Sequence, residues 1–226
     1  MCGRFTLTGI FDELIIRYGI EYALDPFHDP RYNVAPMQMI AAVIHDGERN
    51  RLGQLRWGLV PSWAKDESMA SRMINARSET LLERPSFRNL VSRKRCLIPA
   101  DSFYEWKTIN GKKQPIRFML EDESIFSMAG LYDSWICPKS GEKISTCTII
   151  TTSPNELVAD VHDRMPVILR KEDEQKWING HNTDTAQLLS LLVPFSEAEM
   201  KCHTVSPIVG NVRNDGPECI EKVILN

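Results

Sequence analysis

The amino-acid sequence predicts an α+β fold, in which antiparallel hairpins curl into a barrel-like sheet with flanking helices. Three pairs of apolar segments, each folded about a turn signal, indicate the hairpins. The helical segments lie between the strands but do not alternate with them regularly, which argues against a parallel α/β sheet. No internal repeat, low-complexity run or long linker divides the 226 residues, so we expect one domain over residues 1–226.

The hairpins are predicted from runs of strand-forming residues on both sides of a short turn. They span residues 39–60, around Asp46-Gly47; residues 102–120, around Asn110-Gly111; and residues 125–153, around the segment CPKSGEK. An Asp-Gly or Asn-Gly pair favours a tight turn because both residue types tolerate positive φ angles. These three units should supply most of the sheet.

Helical periodicity marks five further segments. Residues 10–18 place apolar side chains at helical spacing, and Gly19 is a typical helix end. Four more helices are expected near residues 85–93, 154–160, 171–179 and 183–192.

Composition and charge narrow the function classes. No apolar run approaches the roughly 18 residues of a membrane-spanning helix, and no secretory signal is visible, so we expect a cytoplasmic protein that does not bind membranes. The six cysteines are scattered without a CxxC pair, which argues against a zinc site and a disulfide framework. We therefore expect no metal and no cofactor.

The charge is unevenly distributed along the chain. The formal net charge of −3 argues against a protein that coats nucleic acid by bulk charge. However, the stretch from Arg72 to Lys113 contains ten basic and four acidic residues, so it carries +6 while the remainder carries −9. This basic segment is either a solvated face or a strip that contacts phosphates.

Cys2 directly follows the initiator methionine. If Met1 is removed, Cys2 carries an α-amine with a reference pKa of about 7.7–8.0 beside a thiol of about 8.5. One residue would then present two nucleophiles that are both usable near neutral pH. The alternative is that Cys2 is an ordinary packing residue.

Six short blocks combine polar and aromatic residues in contexts that indicate specific roles. They are RYNVAP at 31–36, RWGLVPSW at 56–63, INARSET at 74–80, ADSFYEW at 100–106, DVHDRMP at 160–166 and GNVRND at 210–215. Each block also has a structural interpretation. Asn75 would cap a turn, Glu105 would point outward from a strand, and His162 would join an ion network with its neighbours.

Taken in order, the N-terminal Cys-Gly-Arg and these blocks resemble the SRAP family, which includes bacterial SOS-response-associated proteins that process abasic sites in DNA. The resemblance runs from Cys2 to about Pro217. One position departs from the family pattern. Ala64 stands where many members have a second aromatic residue after Trp63, which lessens the base stacking expected there.

The resemblance implies a DNA-damage response protein with a covalent, lyase-type chemistry. An abasic site is partly an open-chain aldehyde, which an amine attacks to form a Schiff base. The α-amine of Cys2 would make this attack, and its thiol would close onto the imine carbon to give a thiazolidine. The resulting crosslink would shield the lesion in single-stranded DNA.

The same resemblance implies the site residues. The expected catalytic residues are Cys2, Asn75, which orients the opened sugar, Glu105, which shuttles protons, and His162, which protonates the sugar ring oxygen. The expected DNA-binding residues are Arg4, Arg77 and Arg84 at phosphates, with Asn33, Pro36, Trp57 and Trp63 near bases or sugars.

The expected partner is single-stranded DNA that contains abasic sites, with the replication machinery as a further partner. We expect a monomer that is associated with the nucleoid when it binds DNA. Two other functions stay open at this point. One is an N-terminal-nucleophile peptidase that uses Cys2 with His162 on itself or on other proteins. The other is a non-catalytic single-strand binder in which Cys2 only packs.

Overall fold

The computed structural model describes residues 2–21 and 26–224, in which two sheets pack together with short helices at their margins. The strands are β1 Phe5–Leu7, β2 Arg31–Val34, β3 Met39–His45, β4 Asn50–Trp57, β5 Asn75–Arg77, β6 Arg95–Ala100, β7 Ser102–Ile109, β8 Lys112–Leu120, β9 Phe126–Ile136, β10 Lys143–Thr152, β11 Met165–Pro166, β12 Ile168–Leu169 and β13 Met200–Thr204.

The helices connect these strands. The α-helices are α1 Phe11–Tyr18, α2 Arg88–Val91, α3 Glu156–Ala159, α4 Lys171–Ile178 and α5 Thr185–Ser190. Single 3₁₀ turns or short 3₁₀ helices cover Glu67–Arg72, Ser78–Thr80, Glu197–Glu199, Pro207–Gly210 and Pro217–Cys219. All five predicted helices are confirmed, although α2 is shorter than its predicted range because residues 80–87 form consecutive turns.

One sheet closes into a barrel. Its strands run in the order β10, β4, β3, β6 and β9, and β9 pairs again with β10 to complete the ring. All of these pairings are antiparallel except that of β4 with β10, which is parallel. The α+β class and the barrel-like sheet are therefore confirmed. Closure also removes the free strand edges that would otherwise offer sites for aggregation.

The three predicted hairpins are present as β3–β4, β7–β8 and β9–β10. Asn110 and Gly111 adopt φ angles of 49° and 76° between β7 and β8. Two successive positive φ angles match the right-handed twist of the flanking strands, which is why Asn-Gly favours this turn. In the first hairpin, the side chain of Asp46 accepts hydrogen bonds from the amides of Glu48 and Arg49, both at 2.9 Å.

The second sheet positions the start of the chain. Its order is β13, β8, β7, β1 and β2, so β1 lies between β7 and β2. Phe5 pairs with Phe103 of β7, and its ring packs on Trp57 of the barrel with ring centroids 5.3 Å apart. Both rings are buried, and burial of an aromatic side chain contributes about 1.5–3 kcal/mol. This contact anchors the N-terminal strand between the two sheets.

Helix α1 shows the same agreement between pattern and structure. Phe11, Leu14 and Tyr18 are its buried face, and Gly19 ends it with a φ angle of 59°. Its Arg17 donates two hydrogen bonds to Glu174 of α4, at 2.9 and 2.6 Å. Among the residues that the structure describes, no helix is long and apolar enough to cross a membrane.

Candidate active site

Cys2 lies fully buried just before β1. The amide of Tyr104 donates to the carbonyl of Arg4 at 2.9 Å, which continues the β1–β7 pairing toward the chain start and places Cys2 beside the middle of β7, near Glu105. Burial and the neighbouring carboxylate of Glu105 raise the pKa of the Cys2 thiol, although a hydrogen bond from the Arg4 amide lowers it slightly. At neutral pH this thiol is protonated.

Glu105 lies on β7 and is only 4% exposed. Burial raises its pKa from 4.5 to about 7, because the carboxylate form loses its hydration. A group that titrates near neutral pH can both accept and return a proton during one reaction. Glu105 is therefore suited to the proton shuttle that the sequence predicts.

His162 follows helix α3, whose first turn is capped by Asn155. Its backbone amide donates to the carbonyl of Val158 at 2.9 Å, and its Nε2 lies 4.0 Å from Oε2 of Glu105. The amide of Arg164 donates to Nδ1 at 3.0 Å, so the neutral ring carries its proton on Nε2, the nitrogen nearer to Glu105. Burial lowers the pKa of His162, which favours this neutral form.

Asn75 is held at the edge of the barrel by β5. This strand pairs in parallel with β10, with Asn75 opposite Ile149, and the side-chain amide donates to the Ile149 carbonyl at 3.5 Å. Its Oδ1 atom is buried and has no hydrogen-bond partner among the described residues. Buried acceptors are nearly always paired in native proteins, so this oxygen is available to a bound molecule.

These elements meet at the carboxyl end of β10. Strand β5 pairs with β10 through Ile149–Thr151, and β11 pairs with it through Thr151–Thr152. The structure therefore brings Cys2, Glu105 and His162 together, and places Asn75 and the His162 loop on strands that flank the same strand end. Asn75 also lines a groove of about 450 Å³.

That groove carries the basic and aromatic residues expected at a nucleic-acid surface. Its wall contains Trp63, which is 58% exposed, and the exposed residues Arg77 and Arg84. Arg72 also lines it, which the sequence analysis did not assign although it opens the basic segment. Not all of that segment is surface: the guanidinium of Arg95 is buried and donates to backbone carbonyls of Val91, Trp177, Asn179 and Asn182.

Three residues expected to contact DNA use their side-chain donors within the protein, and their assignment to DNA stays a prediction. Asn33 is fully buried, and its amide donates to three backbone carbonyls of the 209–214 turn, while Arg4 donates to Asn33 Oδ1 at 2.7 Å and to the Val209 carbonyl at 2.6 Å. Trp57 is also fully buried, and its indole N–H donates to the Ile74 carbonyl at 2.9 Å. Arg4 and Asn33 satisfy carbonyls of the 209–214 turn, and Trp57 shares the Ile74 carbonyl, next to Asn75, with the amide of Ile149.

Pro36 is half-buried and precedes an exposed methionine that the sequence analysis missed. Met37 is 42% exposed and has a φ angle of 71°, which is rare for a residue other than glycine. Its sulfur lies close to Gly58, in the block that carries Trp63. The signal in the sequence that could have identified this methionine is its position directly after the Asn-Val-Ala-Pro block.

Residues 1–212 match the family described as SOS response associated peptidase (SRAP). The chain is 53% identical over 223 residues to the abasic site processing protein YoqW of Bacillus subtilis strain 168, covering 98% of this chain and 99% of that protein. It is 33% identical to the abasic site processing protein HMCES of Gallus gallus, covering 91% of this chain and 70% of that protein.

A crystal structure shows the same architecture. The fold matches a protein from Bacteroides thetaiotaomicron with a TM-score of 0.88 and 29% identity, covering 99% of this chain and all of the other. A second match, to a protein from Bordetella bronchiseptica, has a TM-score of 0.76 and 26% identity. Family match, sequence identity and fold agree: the chain belongs to the SRAP family.

Proposed function

We propose that this protein processes abasic sites in single-stranded DNA by forming a thiazolidine crosslink through Cys2 after Met1 is removed. One observation carries the proposal: Cys2 is buried beside Glu105, whose pKa is raised to about 7, and Nε2 of His162 lies 4.0 Å from the Glu105 carboxylate. The groove with Arg77 and Trp63 supports a nucleic-acid substrate. The relatives are named abasic site processing proteins, which supports an abasic site as the lesion that this protein processes.

The first steps use the amine. His162 donates the proton on Nε2 to the ring oxygen of the sugar and takes up the proton of the C1′ hydroxyl, so the imidazole stays neutral while the hemiacetal opens to an aldehyde at C1′. The amine nitrogen of Cys2 forms a bond to C1′, and Glu105 carries one proton from this nitrogen to the former carbonyl oxygen, which gives the carbinolamine. Glu105 then carries the second amine proton to the carbinolamine hydroxyl, which leaves as water and gives the Schiff base. Asn75 Oδ1 accepts a hydrogen bond from a hydroxyl of the opened sugar.

The last step uses the thiol. Its sulfur adds to the imine carbon while its proton moves to the imine nitrogen, so a five-membered ring forms without any further reactant. This ring removes the imine that would otherwise promote β-elimination and strand cleavage. The raised pKa of the Cys2 thiol supports the order of events, because a protonated thiol is a poor nucleophile toward the aldehyde.

The same thiol distinguishes this proposal from peptidase activity. A cysteine peptidase needs a thiolate at working pH, and burial beside Glu105 disfavours a thiolate at Cys2. A denaturing gel tests the alternatives with one abasic and one intact single strand. A heat-stable adduct on the abasic strand alone supports the crosslinker. Cleavage of a peptide substrate without an adduct supports the peptidase. The absence of both the adduct and the cleavage product supports a non-catalytic binder.

We predict that Arg77→Ala weakens the salt dependence of binding to an intact single strand. Each phosphate contact contributes a slope of about −0.7 to log K against log salt, so the variant should lose roughly one such contact. The measurement is a titration at several salt concentrations. Arg170→Ala is the matched control, because Arg170 lines a separate cavity and pairs with Glu199. Equal slopes for wild type and Arg77→Ala would show that Arg77 does not contact a DNA phosphate.

We predict that Glu105→Gln stabilises the folded protein above pH 7. Between pH 4.5 and about 7 the folded state keeps a proton on Glu105 that the unfolded state releases, so wild-type stability falls as the pH rises through this window. Glutamine has no such ionisation. The variant should therefore gain up to about 3 kcal/mol in the free energy of unfolding at pH 8 and nothing at pH 4.5. Urea unfolding at both pH values measures this gain.

The exposed Glu83→Gln variant is the control for that experiment, and its unfolding free energy should not change relative to wild type at either pH. An advantage of Glu105→Gln that is the same at pH 4.5 and pH 8 would show that the carboxyl of Glu105 titrates normally in the folded protein.

A further inference from the structure

We infer that Glu79 is a positioning residue which, through Arg164, holds His162 in the tautomer that donates from Nε2. The inference rests on the proposed function, because it gives Glu79 a part in the same crosslinking reaction. Glu79 takes part in no step of the proposed chemistry and lies in the turn that follows Asn75 and β5. Its role follows from an ion pair that joins two separate parts of the site.

The ion pair is bidentate. Nη1 of Arg164 donates to Oε1 of Glu79 at 2.7 Å, and Nη2 donates to Oε2 at 2.9 Å. Two parallel hydrogen bonds restrict orientation as well as distance. Nη2 also donates to the Thr151 carbonyl at 2.7 Å, and the Arg164 side chain is only 12% exposed. The guanidinium is therefore held on two sides.

The Glu79–Arg164 ion pair links the segments next to β5 and β11, two strands that each pair with β10 over only two or three residues. Glu79 belongs to the 3₁₀ turn directly after β5, which pairs with β10 over three residues. Arg164 directly precedes β11, which pairs with β10 over two residues. With so few backbone hydrogen bonds on each side, the ion pair, together with the hydrogen bond from Arg164 to the Thr151 carbonyl, holds the His162 loop against the end of β10.

Arg164 also determines the state of the His162 ring. Its backbone amide donates to Nδ1 at 3.0 Å, which leaves the ring proton on Nε2. Oδ1 of Asp163 lies 3.0 Å from the same Nδ1. If the Arg164 backbone moved away, Nδ1 would be free to take the ring proton and donate it to Asp163. Nε2 would then lose the proton that the proposed sugar opening requires.

Electrostatics alone predicts a different result for the loss of Glu79. The residue is acidic and lies in the same short segment as Arg77, so removal of its charge should leave DNA affinity equal or increase it. If Glu79 positions His162, the crosslinking step should nevertheless become slower. Equal or tighter binding combined with slower chemistry is therefore specific to the positioning role.

The experiment measures the rate of adduct formation at saturating abasic single-stranded DNA for wild type, Glu79→Gln and Glu83→Gln, with affinity for an intact strand in parallel. We expect Glu79→Gln to react about 10- to 100-fold more slowly, since small displacements of a catalytic group have effects of this size. Glu83→Gln, a change of the same charge at an exposed position, should react at the wild-type rate. Glu79→Asp keeps the charge and should recover part of the rate.

A second comparison separates positioning from a general loss of structure. In a protein that already carries His162→Ala, adding Glu79→Gln should slow the reaction no further, because the group it positions is absent. A wild-type rate for Glu79→Gln, or the same slowing in both backgrounds, would overturn the inference. Failure of the wild-type protein to form an adduct would instead overturn the proposed function.

Discussion

Crosslinking to abasic DNA should disappear when a residue that cannot be trimmed is placed ahead of Cys2. Such an extension converts the α-amine into an amide, whose nitrogen is not nucleophilic, and leaves the thiol, Glu105 and His162 in place. Binding to intact single strands should persist, because Arg77 and Arg84 line the groove rather than the chain start. Adduct formation on a denaturing gel, with binding measured in parallel, checks this result.

Two variants complete that experiment. Cys2→Ala keeps an N-terminal amine but lacks the thiol, so it should give no stable adduct and only a Schiff base that borohydride traps. Cys202→Ala removes an exposed cysteine on β13 and should crosslink as wild type does. A blocked protein that formed the adduct at the wild-type rate would show that the amine is not required, and the mechanism would have to begin from the thiol.

His162→Ala should slow adduct formation by about 10²- to 10⁴-fold, which is the usual contribution of a general acid. The affinity for an intact strand should stay within about twofold, since His162 lies beside Glu105 rather than along the basic wall of the groove. Single-turnover kinetics at saturating DNA measure the rate without interference from binding.

His181→Ala is the matched control, because His181 is exposed at a turn after α4 and should not affect the rate. An unchanged rate for His162→Ala would show that His162 has only a structural role in its loop. A loss of affinity equal to the loss of rate would assign it to DNA binding instead of proton transfer.

Local sequence patterns account for much of the architecture. The Asn110-Gly111 turn and the helix that ends at Gly19 are both found where the pattern places them. Each depends on residues close together in the chain, because a tight turn needs positive φ angles and an amphipathic helix needs apolar side chains at a spacing of three or four. Barrel closure also depends on the pairings of β9 with β6 and of β10 with β4, which join segments distant in the chain and which no local pattern encodes.

The candidate site divides in the same way. The sequence by itself identified the candidate reactive residues: the cysteine at position 2, with Glu105 and His162 in distinctive blocks. It did not determine which polar side chains are hydrogen-bonded within the protein. Arg4, Asn33 and Trp57 have side chains suited to nucleic acid, but the fold uses their donors to satisfy buried carbonyls.

Only the tertiary structure decided these assignments, because burial and hydrogen-bond partners depend on residues that are distant in the chain. The pKa of Glu105 rises to about 7 because the fold buries this side chain on β7, an interior strand between β8 and β1. The proton of His162 is directed to Nε2 by the amide of Arg164, whose side chain is in turn held by Glu79, 85 positions earlier. Residue type thus supplies the reactive groups, and long-range packing sets their protonation and orientation.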